Sequence, residues 1–151
     1  MLLNYLTATT MVSSVVCQDW AELVDTAGAP LVADGSVTNQ YLDSIKDTVR
    51  RFGSYMVLVD GVALLHGRPE AKVNRVALSL ATLSEPVSLL DKPVNAAFVL
   101  AATDNDSHID LMRDLAKALG DSQFLELLRQ DASQDEITQR LVQLEEQHES
   151  D

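Results

Sequence analysis

The chain has 151 residues, one domain's length, and 46% of them are apolar, enough for a single hydrophobic core. Eleven Lys and Arg face 23 Asp and Glu, a formal net charge of −12. That balance excludes a nucleic-acid or anionic-membrane surface, both of which need clustered cations. Seven acids and one Arg fall between Asp131 and Asp151, so half of the net charge is concentrated in the last 21 residues. The single cysteine, Cys17, excludes an internal disulfide and fits a reducing compartment. No apolar run approaches the roughly 20 residues that span a bilayer. Met1 to Cys17 also lack the Lys or Arg that starts a signal peptide, so a soluble cytoplasmic chain without membrane insertion is expected.

Val12 to Cys17, apolar and β-branched, predicts a short strand. Asp19, with Glu22 three residues on, forms a capping box for a helix whose stripe is Trp20, Leu23, Val24, Ala27 and Leu31. Pro30 falls inside that stripe and predicts a kink or a split, with Gly35 as the stop. A second helix is expected from about Val37 to Phe52, on Tyr41, Ile45, Val49 and Phe52, with Gly53 as a left-handed terminator. Arg50 and Arg51 fall in its last turn, where cations suit the helix dipole. Four strands follow: Tyr55 to Val59, Val62 to Leu65, Val73 to Leu83 and Val94 to Ala102. The last is apolar on both parities except at Asn95, as in a strand covered on both faces. Ser107-His108-Ile109-Asp110 reads as a capping box opening a helix to about Leu119, with Gly120 as its stop. Phe124, Leu127 and Leu128 mark a short helix. Ser133-Gln134-Asp135-Glu136 is a third capping box, ahead of Ile137, Leu141 and Leu144, with an acidic, frayed tail from about residue 145. The order β, α, α, β, β, β, β, α, α, α predicts one α/β domain over the whole chain. Its architecture is a mixed central sheet of about five strands with helices on both sides.

Two of the three histidines stand beside organised features. His66 ends an apolar run and precedes Gly67. An imidazole at a strand's end, before a glycine that lets a phosphate or a partner's backbone approach, suits a nucleophile. Neutral imidazole reacts near pH 7 without a strong base. The plainer alternative is a strand-end histidine bonded to a carbonyl. His108 falls at the start of a capped helix, whose positive end disfavours an imidazolium and whose free N–H groups suit a phosphate. The plainer alternative there is a first-turn residue facing water. His148, in the acidic tail, has no expected role. Neither a Walker string nor GxGxxG occurs, so no nucleotide cofactor is expected. Asp104 and Asp106, ahead of a helix, read as caps, and no metal site is expected. Cys17 and the four methionines read as core or strand filler. Arg50 and Arg51, just ahead of the strand leading to His66, can reach an anion. Arg50, Arg51, Arg68, Lys72 and Arg75 all lie within 16 residues of His66, so a small cationic neighbourhood is expected there.

The string Gly61 to Glu70, GVALLHGRPE, resembles the active-site segment of EIIA components of the bacterial phosphoenolpyruvate-dependent sugar phosphotransferase system. The resemblance is to the mannitol/fructose superfamily, in which an apolar strand ends in Pro-His-Gly. His66-Gly67-Arg68-Pro69-Glu70 and Gly53-Ser54-Tyr55-Met56-Val57-Leu58 are most similar to the ascorbate-type branch. Ala101-Ala102-Thr103-Asp104, leading to His108, is similar to the family's second element, and the similarity runs from about Thr9 to Leu144. It implies the EIIA sandwich fold and a phosphotransferase without a cofactor. His66 would accept a phosphoryl group from HPr and pass it to a cysteine of a cognate EIIB, which serves a membrane EIIC. His108 would stand beside it and stabilise the group. Some members use an upstream Arg, for which Arg50 lies at the matching distance and Arg51 or Arg68 are alternatives. With Gly67 and Ser107, these form the set expected to steady the phosphate. The family's proline before the histidine is Leu65 here. Leucine keeps the apolar wall, gives up the fixed φ, and has the N–H that lets strand pairing run one residue further. A regulatory EIIA-like protein, acting on a partner by binding, is the second reading, and an α/β binding domain with incidental histidines the third. The sugar and the oligomeric state, a homodimer included, are left open.

Overall fold

A computed structural model of the chain describes residues 2–68, 73–104, 106 and 108–150, with 148–150 as backbone only. Its elements are β1 (Met11–Val15), α1 (Trp20–Ala33), α2 (Asn39–Phe52), β2 (Val57–Val59), β3 (Gly61–His66), β4 (Ala77–Leu89), β5 (Lys92–Ala101), α3 (Ile109–Leu119), α4 (Ser122–Arg129) and α5 (Gln134–Ser150). Short 3-10 turns cover Leu2–Asn4 and Gly53–Met56. The order of strands and helices is the one the hydrophobic periods predict.

The five strands form one mixed sheet in the order β1-β4-β5-β3-β2. β1 runs parallel to β4 and β3 parallel to β5, while β4/β5 and β2/β3 are antiparallel. Both faces are covered. Ala63 and Leu65 of β3 join the core formed with α1 and α2, around Leu23, Ile45 and Val49. Val62 and Leu64 of the same strand join the core formed with α3, α4 and α5, around Leu115, Phe124 and Ile137. A strand buried on both faces needs apolar residues on both parities, which is why β3 and β5 read as continuous apolar runs.

Local chemistry explains where the elements begin. The Asp19 carboxylate accepts from the Glu22 N–H at 2.8 Å, and the Glu22 carboxylate accepts from the Gln18 N–H at 3.0 Å. The Ser133 hydroxyl accepts from the Glu136 N–H at 3.2 Å and opens α5. Both N-caps thus form as read, while the return contacts of Glu22 and Glu136 go to the Gln18 N–H and the Ser133 hydroxyl instead of the cap's own N–H. Asp121 caps α4 through the Phe124 N–H.

Several boundaries differ from expectation. Pro30 neither splits nor ends α1, which runs unbroken to Ala33. The proline lies in the last turn, where it removes one hydrogen bond and little helix remains to deflect. Tyr55 and Met56 are not in β2, because the chain first makes the 3-10 turn. Val73 makes only an isolated bridge to Val37, and β4 begins at Ala77 and continues through Pro86 to Leu89. The register with β5 shifts between Thr82 and Val87, and a bulged, exposed stretch tolerates a proline that a central ladder would not. α5 stays helical to Ser150, past the point where fraying is expected, since Glu and Gln are good helix formers.

Candidate functional site

Because β3 and β5 are parallel neighbours, their C-terminal ends meet at one edge of the sheet, where His66 registers with Leu100. Ladder pairing therefore does run through the histidine, as the N–H of Leu65 allows. His66 shares the parity of Val62 and Leu64, whose face is covered by α3 to α5. The N-cap of α3 is His108. The face of the sheet toward which His66 points by parity is thus the one that α3, beginning after His108, helps to cover.

Two hydrogen bonds orient the His66 ring, which is only partly buried. Its Nδ1 lies 3.0 Å from the Leu64 carbonyl oxygen, and its Nε2 lies 3.0 Å from the Tyr55 hydroxyl. A carbonyl oxygen only accepts, so Nδ1 carries the proton and Nε2 the lone pair. The Tyr55 hydroxyl donates to that lone pair. The Tyr55 ring meets His66 edge-on at 5.9 Å between centroids and Phe52 edge-on at 6.2 Å. Phe52, Tyr55 and Leu58 are 63%, 55% and 47% exposed, an apolar fringe leading to the histidine.

The backbone beside His66 is held by a buried tyrosine. The Tyr41 hydroxyl, reaching from α2, donates to the Leu100 carbonyl and accepts from the Gly67 N–H at 3.0 Å. Burial pushes this phenol up to about 12, against the smaller opposing effect of the Gly67 bond. A Cβ on Gly67 would come 2.1 Å from the Ser44 Oγ and 3.2 Å from the Ile45 nitrogen. This glycine thus has a reason inside the protein, the close approach of α2. The sequence pointed to Tyr41 only as a core residue. A polar aromatic on a buried stripe must still find a partner for its hydroxyl, and that is the signal that marks it.

His108 is the N-cap itself rather than the first helical residue, and its side chain makes no cap bond. Its Nδ1 is buried without a hydrogen-bond partner among the described residues. A proton there would be a donor with no acceptor, so the ring's proton belongs on Nε2. Ser107, expected to cap this helix and steady a phosphate, lies outside the described residues. The Asp104 carboxylate accepts from the Asp106 N–H at 2.8 Å, a contact that closes a turn in the loop, while the N-cap of α3 is His108 rather than either acid.

The expected cationic neighbourhood is thinner than the sequence spacing suggests. Arg75 turns to Asp34 and Ser36, donating to the Asp34 carbonyl at 2.7 Å and the Ser36 hydroxyl at 2.9 Å. Arg50 pairs with Asp47 at 3.1 Å and lies over the Trp20 ring at 5.7 Å. Arg51 and Arg68 are exposed, and Lys72 lies outside the described residues. Burial pushes the Cys17 thiol up, with smaller contributions of both signs from Thr26, Glu22 and Asp19, which suits an inert packing residue.

A five-stranded mixed sheet with helices on both faces and a half-buried histidine at its edge defines the class: a small α/β sandwich. The family described as "Phosphoenolpyruvate-dependent sugar phosphotransferase system, EIIA 2" matches residues 4–143, and the chain belongs to it. Its role is that of a phosphocarrier component of the system. The mannitol-specific cryptic phosphotransferase enzyme IIA component of Escherichia coli K12 is 31% identical over 122 residues, 80% of this chain and 83% of that protein. The ascorbate-specific EIIA component of the same organism is 31% identical over 124 residues, 80% of both chains. The solution structure of the mannitol-specific cryptic enzyme IIA CmtB from Escherichia coli superposes with a TM-score of 0.82 at 28% identity, covering 93% of this chain and 97% of that one. Among the described residues, no helix is long and apolar enough to cross a membrane.

Proposed function

We propose that His66 is the phosphorylated residue. It takes the phosphoryl group from a phosphohistidine of HPr on Nε2 and passes it to the cysteine of a cognate EIIB, which serves a membrane EIIC during sugar uptake. One observation carries this reading: the Leu64 carbonyl holds the ring's proton on Nδ1, so the electron pair lies on the outward nitrogen, where the Tyr55 hydroxyl donates to it.

The chemistry balances without a cofactor or a base. The donor's P–N bond breaks and its electron pair stays on the donor imidazole. Nε2 of His66 supplies the pair for the new N–P bond, and the proton stays on Nδ1, hydrogen-bonded to the Leu64 carbonyl oxygen. Onward transfer reverses these roles, with a thiolate as the attacking group. Phosphoryl transfer asks a protein for in-line positioning and charge stabilisation. Nε2–H of His108 supplies a donor toward the phosphoryl oxygens, and the first N–H groups of α3 add their field. Arg68, two residues from His66, and Arg51 are the exposed cations, among the described residues, for the same task. Arg50 can join them by leaving Asp47, since an exposed ion pair contributes at most about 1 kcal/mol. The exposed fringe of Phe52, Tyr55 and Leu58 suits a partner that docks briefly over a small area and leaves.

The test is labelling by phosphoenolpyruvate, Enzyme I and HPr. The wild-type chain takes up one acid-labile phosphoryl group and His66→Ala takes up none. Retained label in His66→Ala overturns the assignment.

A further inference from the structure

The geometry points to Tyr55 as a latch on the reacting nitrogen: its hydroxyl occupies the line along which phosphorus must approach Nε2 of His66, and it must swing out before each transfer. This inference rests on the proposed reading of His66 as the phosphoryl acceptor.

The Tyr55 oxygen stands 3.0 Å from Nε2 and donates into its lone pair. In-line transfer needs that same lone pair and that same space, since the incoming phosphorus must reach bonding distance along the lone-pair axis. Hydroxyl and phosphoryl group therefore exclude one another. The Nδ1–Leu64 bond, on the opposite side of the ring, is untouched by this exchange. What holds the latch shut is slight. The Tyr55 ring is 55% exposed, and its ring contacts are the edges of Phe52 and His66. It belongs to the short 3-10 turn between α2 and β2 rather than to the sheet, so rotation of the side chain disturbs no ladder. The closed form keeps the idle nitrogen from adventitious electrophiles. A docking partner that displaces the ring opens it.

The experiment uses a small phosphoryl donor, phosphoramidate, which needs an open nitrogen but no docking face. Nε2 attacks phosphorus, the P–N bond of the donor breaks, and ammonia leaves. Labelling of Tyr55→Phe, which deletes only the hydroxyl, is expected to run about fivefold faster than wild type, equivalent to about 1 kcal/mol in the barrier. Tyr55→Ala, which clears the ring as well, is expected to label at least as fast. The nitrogen-15 resonance of Nε2 in the unlabelled Tyr55→Phe chain is expected to move as its hydrogen bond is lost, a change that a merely structural tyrosine does not produce. Both variants labelling no faster than wild type overturns the latch while leaving His66 as the acceptor. Label retained by His66→Ala overturns the acceptor assignment and the latch together.

Discussion

Tyr41 joins three elements through one oxygen: it stands on α2, bonds the end of β5 at Leu100, and bonds the residue after β3 at Gly67. Its ionisation is linked to folding. The folded phenol titrates near 12 and an unfolded one near 10, so above pH 10 the unfolded chain has given up a proton that the folded chain still holds. Stability attributable to this group is therefore complete below pH 10 and falls by about 1.4 kcal/mol per unit up to pH 12. Tyr41→Phe is expected to remove that alkaline slope relative to wild type in urea unfolding. At pH 7 it is expected to cost about 1–3 kcal/mol, because the Leu100 carbonyl and the Gly67 N–H lose their partner. His108 belongs to the same scale. His108→Ala is expected to slow onward transfer about a hundred- to a thousandfold, the effect of losing one donor to a developing charge, with little change in Tm. An unfolded variant, or transfer at the wild-type rate, makes His108 structural. His66 was legible because its chemistry is written in adjacent residues: an apolar run, the histidine, a glycine. The hydroxyls of Tyr41 and Tyr55 were not, since their partners lie 59 and 11 residues away and only the fold brings them together.

Helices α4 and α5 are tied by one carboxylate. Asp121 caps α4 through the Phe124 N–H and receives both Nε and Nη2 of Arg140 on α5, at 2.9 and 2.7 Å. The Arg140 bond, with further help from the cap, holds its carboxyl below the ordinary range against a smaller opposing effect of burial. A depressed carboxyl contributes stability above its unfolded value and loses it as pH falls through the folded one. Asp121→Ala is expected to cost about 2–3 kcal/mol by thermal or urea unfolding at pH 7, and less as the pH drops below about 4. Asp121→Asn keeps the cap and is expected to lose only the ion-pair part. The caps themselves were readable, because Asp19 and Ser133 bond to neighbours three residues away. Element ends that depend on distant partners were not. Nothing local says that β4 continues through Ser84-Glu85-Pro86, since the shift of register that admits the proline exists only in the pairing of β4 with β5.

The −12 of the whole chain argues against polyanionic partners, yet says little about the edge where a phosphate would rest. The expectation of a cationic cluster around His66 came from sequence distance, and two of its members are turned elsewhere by closer carboxylates, Arg50 by Asp47 and Arg75 by Asp34. Sequence distance is a poor guide to where a long, flexible cation points, whereas the two-faced burial of β3 and β5 could be read at once because it is repeated at every residue. The parallel pairing of β3 with β5 has a further consequence. The groups that orient and flank the proposed acceptor come from residues 41, 55, 64, 67, 100 and 108, so no contiguous stretch of the chain contains them. During synthesis, His66 leaves the ribosome well before β5, the strand that lies between β3 and β4 and anchors Tyr41. A nascent or partly unfolded chain has the histidine but not its setting. Under the proposed reading, acceptance of a phosphoryl group doubles as a quality check on assembly: the relay commits phosphate to finished molecules, and a misfolded copy drops out of the circuit rather than draining it.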